Sequence, residues 1–207
     1  MQKLLEGLIK FREIDFEEHK ELFGQLSKEQ NPHTLFIGCS DSRLIPNLIT
    51  QTLPGELFVV RNIANIVPPY HESEEYLSTT SSIEYAVNVL EIENIVVCGH
   101  SNCGGCKSLY ASDEVLNEIP HTKKWLELAY EAKTKVLAEV SVEEVDKREW
   151  MTEQVNIVEQ LKNLLTYPFI REKVSQGTLT IGGWYYLIET GEVFIYNKEN
   201  GLFELAN

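Results

Sequence analysis

The sequence predicts an α/β fold built on a parallel sheet, and three observations carry that prediction. Short apolar runs, TLFIG at 34–38, ELFVVR at 56–61 and NIVVCGH at 94–100, lie between turn residues and show no polar alternation, the pattern of strands buried on both faces. A helical pattern separates the second run from the third, as a right-handed crossover between parallel strands requires. The residues able to do chemistry fall directly after the first and third runs, at the strand ends where open α/β sheets place their sites.

Taken in order, KLLEGLIKFREIDFEEHKELFGQLSKEQ spaces Leu4, Leu5, Leu8 and Ile9, then Leu22, Phe23 and Leu26, at helical intervals among many charges, so residues 1–30 are predicted as an amphipathic helical arm. Asn31 and Pro32 turn the chain into the first strand, and Pro54 and Gly55 turn it into the second. Beyond Pro68 and Pro69, STTSSIEYAVNVLEI offers Ser and Thr as N-caps and sets Ile83, Val87 and Leu90 on one helical face. Residues 121–176 read as helices, with Met151, Val155, Val158 and Leu165 as the apolar stripe and Gly177 as the stop signal. Finally, TLTIGGWYYLIETGEVFIYN reads as a hairpin around Thr190 and Gly191, so 178–207 is expected to add an edge to the sheet. A single domain is expected over residues 1–207.

A formal net charge of −14 repels phosphate backbones and anionic lipid, which argues against nucleic acid and membrane surfaces as partners. The apolar runs are far shorter than the roughly 20 residues a membrane span needs, and MQKLLEGLIKFREIDFEEH lacks the uninterrupted apolar stretch of a signal peptide. The expected location is the cytoplasm. Four cysteines in that setting are expected to be free thiols, ligands or catalytic groups rather than a disulfide framework.

The stretch HSNCGGC at 100–106 admits two chemistries. Cys103 and Cys106, spaced C-x-x-C after a strand, suit a redox dithiol. His100 and Cys103, spaced H-x-x-C, suit zinc, whose borderline softness accepts both nitrogen and sulfur. The loop after the first strand, CSDSR at 39–43, favours the metal, because it adds a thiol, a carboxylate and a guanidinium within five residues. Cys39, His100 and Cys103 would give tetrahedral zinc three ligands and one open position, and a water bound there loses a proton far more readily than in bulk. Asp41 and Arg43, one residue apart, are expected to form a bidentate pair. A carboxylate so held would orient zinc-bound hydroxide; released, Asp41 would itself become the fourth metal ligand.

Those two loops, HSNCGG and CSDSR, together with PGELFVVRNIANIVPPY and SSIEYAV, make residues 30–106 resemble the beta-class carbonic anhydrases, in their plant-like bacterial branch. The resemblance implies zinc held by Cys39, His100 and Cys103, the Asp41–Arg43 dyad, and reversible hydration of carbon dioxide to bicarbonate. It further implies a substrate pocket in which Gln30 hydrogen-bonds substrate, Phe58, Ile63 and Tyr85 form the wall, and Gly104 offers a backbone N–H. The implied fold is a four-stranded parallel sheet with an added antiparallel edge strand, flanked by helices, its N-terminal helices packing on a partner subunit. The implied assembly is a homodimer with interfacial active sites, or a homotetramer. A bicarbonate-regulated branch carries Trp three residues before the first cysteine; Phe36 stands there in this chain, which speaks against that regulation.

Two alternatives stay in view: a dithiol oxidoreductase using Cys103 and Cys106, and a closed structural zinc site with Cys106 as fourth ligand. Neither explains the C-x-D-x-R loop. Cys98, inside an apolar strand, is expected to be core, and His19, His33, His71 and His121 surface or capping residues.

Overall fold

The computed structural model describes residues 1–71 and 76–206. They form two compact units, Met1–Asn31 and Pro32–Asn207. The first consists of α1 (Gln2–Lys10), a π-helical turn at Phe11–Asp15, α2 (Phe16–Glu18) and α3 (Lys20–Leu26). Phe16 stacks on Phe23 at 5.3 Å and Phe11 meets Phe23 edge-on at 5.8 Å. Leu4, Leu5, Leu8 and Ile9 remain 50–68% exposed, so the predicted amphipathic arm carries an uncovered apolar face.

The second unit runs β1 (Thr34–Cys39), α4 (Pro46–Thr50), β2 (Leu57–Asn62), α5 (Leu77–Asn88), β3 (Asn94–His100), α6 (Gly104–Ser108), α7 (Asp113–Asn117), α8 (Pro120–Leu126), α9 (Tyr130–Glu139), α10 (Val145–Leu164), α11 (Pro168–Ser175), β4 (Thr180–Tyr186), β5 (Val193–Asn197) and β6 (Leu202–Leu205). Among the described residues the strands form one sheet in the order β2-β1-β3-β4-β5-β6. The pairings from β2 to β4 are parallel, and β5 and β6 join antiparallel. The expected C-terminal hairpin therefore does two things: β4 completes the parallel sheet, and β5 begins an antiparallel edge that β6 extends. The turn between β4 and β5 needs Gly191, whose φ of +79° is costly for residues with a Cβ.

The pleat sends alternate residues to opposite faces. Leu35, Ile37, Val97 and Ile181 pack with Ile83, Ile157 and Leu164 in one buried cluster. Phe36, Val96 and Cys98 pack with Leu109, Leu116 and Leu126 in another. Helices on both faces explain why β1 and most of β3 are apolar without alternation.

The stripe expected on α10 is not its buried face. Met151, Val155 and Val158 are half-buried and Leu165 is exposed, whereas Thr152, Asn156, Ile157, Gln160 and Leu164 are fully buried. The reason is the irregular backbone at 63–68 that the helix covers, where Ala64 and Asn65 have φ of +60° and +46°. Backbone of that kind lacks ladder partners, and α10 with its C-terminal extension supplies them. Asn156 Nδ2 donates to Ala64 O (2.9 Å), Val67 N–H to Gln160 Oε1 (2.8 Å), Asn163 Nδ2 to Val67 O (2.9 Å) and Tyr167 O–H to Pro68 O (2.8 Å).

Candidate metal centre

β1 and β3 lie side by side, and the chain leaves them in opposite directions, β1 towards β2 and β3 towards β4. Such a divergence at the strands' C-terminal ends is where open α/β sheets place their sites. Cys39 ends β1, His100 ends β3, and Cys103 follows a turn later, at the start of α6. Their ligand atoms all lie within 4.8 Å of one another, and all three residues are buried. The structure thus brings together three residues that the sequence places 61 and 64 positions apart along the chain.

The donor geometry fits a tetrahedral metal. Two sulfurs on one zinc, each at about 2.3 Å, stand roughly 3.8 Å apart; Cys39 Sγ and Cys103 Sγ are separated by 3.9 Å. His100 Nδ1 lies 2.9 Å from the Ser101 carbonyl oxygen, which can only accept, so Nδ1 carries the proton. Its Nε2 is then a lone pair, buried without a hydrogen-bond partner. Without a cation the thiols resist ionisation: the adjacent Cys103 thiol and burial push Cys39 up to about 12. Cys103 is likewise raised, by Cys106 and by burial, although its bond to Cys39 opposes the shift. A positive charge at this point is what two buried thiolates require.

Asp41 sits beside the donor set. Its Oδ1 accepts from Arg43 Nε (2.9 Å) and backbone N–H (2.9 Å), and its Oδ2 accepts from Arg43 Nη2 (2.7 Å). These bonds hold its carboxyl below the ordinary carboxylate range. Asp41 Oδ2 is 3.8 Å from His100 Nε2. Arg43 Nη2 also donates to Asn102 O (3.0 Å), so one guanidinium ties the loop after β1 to the loop after β3.

Of the remaining residues singled out, Gly104 follows Cys103 as the first residue of α6, and Ile63 packs on the start of that helix. A Cβ built on Gly105 would stand 2.9 Å from Ile63 Cγ2 and from Ala64 Cβ, so the glycine lets the 63–65 turn close on the start of α6. Phe58 and Tyr85 pair with each other, ring centroids 6.1 Å apart. Phe58 aligns with Leu35 and Asn62 with Cys39, which puts Phe58 four residues, or about 13 Å, down the sheet from Cys39. Gln30 is an exposed residue of the first unit, after α3. Cys106 is a buried residue of α6 itself and is outside the three-donor group; Cys98 is wholly buried, as expected. His33, His71 and His121 are exposed and His19 half-buried. A cavity of about 650 Å³ opens on the sheet face between Phe36, Val96 and Trp184, at the strands' N-terminal half, and contains none of the donors.

Three residues of the site escaped the sequence reading. Arg61 Nε donates to Cys39 O (3.0 Å) and its Nη2 to Asp41 O, anchoring the backbone of the first loop. A lone arginine in the apolar run LFVVRN was the available signal. Glu153 and Tyr185 bond to each other, and Glu153 to the Cys103 N–H, from α10 and β4. Nothing in MTEQVN or GGWYYL marks them.

A parallel α/β sheet that delivers two thiols and an imidazole to its switch point, with an arginine-held carboxylate beside them, defines an α/β protein with a metal-ready centre. Residues 34–193 match the family model described as carbonic anhydrase. The chain is 44% identical over 201 residues to a carbonic anhydrase of Helicobacter pylori, covering 96% of this chain and 91% of the relative. It is 45% identical over 197 residues to one of Synechocystis sp., covering 95% and 71%. The solved structure of the beta-carbonic anhydrase CcaA matches with a TM-score of 0.95 at 44% identity, over 100% of this chain and 99% of the other. A structure of the tetrameric beta-carbonic anhydrases of Sordaria macrospora matches at 0.81 and 30% identity, over 94% and 95%. The chain belongs to the carbonic anhydrase family, in its beta class.

Proposed function

We propose that the chain catalyses zinc-dependent, reversible hydration of carbon dioxide to bicarbonate and a proton. The observation that carries this reading is the convergence of Cys39, His100 and Cys103 with an Asp41 carboxylate locked by Arg43 beside them. Zinc, when bound, supplies a Lewis acid that makes a water ligand nucleophilic near neutral pH. Asp41, already fixed by Arg43, would accept a hydrogen bond from the attacking water and aim it, so orientation would cost little at the moment of reaction. Ile63 presents an apolar surface to a small, uncharged substrate, and the Gly104 N–H faces the developing negative charge. Bicarbonate then departs and the proton passes to buffer. Freed from Arg43, Asp41 would be able to hold the metal itself and so close the site to substrate.

Phe58 and Tyr85 lie too far down the sheet to wall the pocket of their own chain. In this reading they, with Gln30, complete the site of a second copy, and the working unit is a homodimer with interfacial active sites. The tetrameric Sordaria relatives support a larger assembly of such dimers. Four buried free cysteines favour a reducing, cytoplasmic setting, and among the described residues no helix is long and apolar enough to cross a membrane.

The deciding experiment is stopped-flow carbon dioxide hydration across pH 6.5 to 9 on protein whose zinc content is measured in the same preparation. About one zinc per chain with rapid hydration that rises towards alkaline pH is expected. Stoichiometric zinc with no hydration at any pH would overturn the reading.

A further inference from the structure

Glu153 is an acid in the middle of α10, 4% exposed, fifty residues from Cys103 and absent from the ion pairs among the described residues. Buried carboxyl groups are retained where their oxygens are used. Here both are: Oε1 accepts the backbone N–H of Cys103 at 2.8 Å, and Oε2 accepts the O–H of Tyr185 at 2.7 Å. The helix reaches this point because two glycines admit it. A Cβ on Gly99 would stand 2.8 Å from Ile157 Cδ1, and one on Gly183 2.7 Å from Ile157 Cγ2. Glu153 is one turn ahead of Ile157 on the same helical face, so close docking of Ile157 aims the carboxyl at the turn after β3.

That turn needs holding. Asn102 sits at φ +56°, a left-handed conformation that is costly for most residues with a side chain and least so for Asn. Its neighbours are bonded from three sides: Ser101 N–H to Tyr186 O (2.9 Å), Ile188 N–H to Ser101 Oγ (3.0 Å), and Arg43 to Asn102 O. Only Glu153 grips Cys103 itself among these partners, and the position of the Cys103 backbone sets where its sulfur stands relative to Cys39 and His100.

We propose that Glu153 is a positioning residue for the metal centre: its carboxyl, oriented by the Tyr185 hydroxyl, fixes the Cys103 backbone so that the three donors hold metal-binding spacing before the ion arrives. It touches neither the ion nor the substrate. The inference rests on the zinc reading above.

The test compares wild type with Glu153→Ala, Glu153→Gln and Glu153→Asp in the full chain, using zinc release to a chelator and the visible spectrum of the cobalt(II)-substituted protein. Glu153→Ala is expected to release zinc on the order of 10- to 100-fold faster and to alter the thiolate-to-cobalt bands. Glu153→Gln keeps an acceptor for the Cys103 N–H and is expected to restore both. A general loss of packing would lower the melting temperature without that rescue and without a spectral change. Wild-type release and spectrum in Glu153→Ala, or a Gln variant as defective as the Ala variant, would overturn the proposal. Should Glu153→Ala not fold, Glu153→Asp shortens the reach by one methylene, and an Asp variant identical to wild type in both readouts would overturn it equally. A wild-type chain that took up no zinc would overturn the metal reading and this inference together, whereas zinc binding indifferent to residue 153 would overturn this inference alone.

Discussion

Both oxygens of Asp41 are engaged by Arg43, so Asp41→Ala should remove the orienting carboxylate and leave the three donors in place. The expected outcome is a fall in turnover on the order of 100-fold with zinc content near that of wild type, read by stopped-flow hydration and metal analysis on one sample. Full turnover would refute the assigned role. Glu159 shows a different use of a carboxylate. Burial pushes its carboxyl up, but Lys135 at 2.8 Å and Lys162 at 2.7 Å outweigh that and hold it below its ordinary value. A depressed folded-state value contributes stability above the unfolded pKa, and the contribution is lost as pH falls through the folded value. Glu159→Gln should therefore cost about 1 kcal/mol at neutral pH, with the deficit shrinking below about pH 4.5; urea midpoints at the two pH values decide it. The Cys39, His100 and Cys103 cluster that could hold a metal and the Asp41–Arg43 pair were legible in CSDSR and HSNC because the spacing within each loop is local. Arg61 and Glu153 were not, since each acts on backbone brought close only by folding.

At the scale of elements, α10 and the start of α6 place the site. The polar face of α10 serves the irregular backbone at 63–68, so a search for an apolar stripe points to the wrong side of that helix. Helix existence was readable from periodicity; the buried side was not, because the partner surface is backbone rather than side chain. Gly105 is the tightest joint between α6 and that turn. Gly105→Ala should push Ile63 and Ala64 outward and destabilise the chain by about 1–3 kcal/mol, seen as a lower melting temperature together with impaired hydration. An unchanged melting temperature would show that the 63–65 turn yields more easily than its bonds to Asn156 and Trp125 imply.

For the whole molecule, the proposed dimer is tested through the uncovered apolar residues of α1 and the separation of Phe58 from Cys39. Deleting residues 1–30 should yield a chain that sediments as a monomer and has lost most hydration activity, Gln30 and the apolar arm being removed together; a truncated chain that remains dimeric would locate the interface elsewhere. The sequence by itself determined the parallel sheet, the order of its elements and the three residues, Cys39, His100 and Cys103, that form a cluster able to hold a metal, because strand burial and loop chemistry are written in short local patterns. Only the tertiary structure decided which strands are neighbours, that β6 prolongs the antiparallel edge, that α10 turns a polar face inward, and that Arg61, Glu153 and Tyr185 steady the loops. The physical reason is one of range: hydrogen bonds between a side chain and backbone 20 to 100 residues away leave no periodicity for a linear reading to detect.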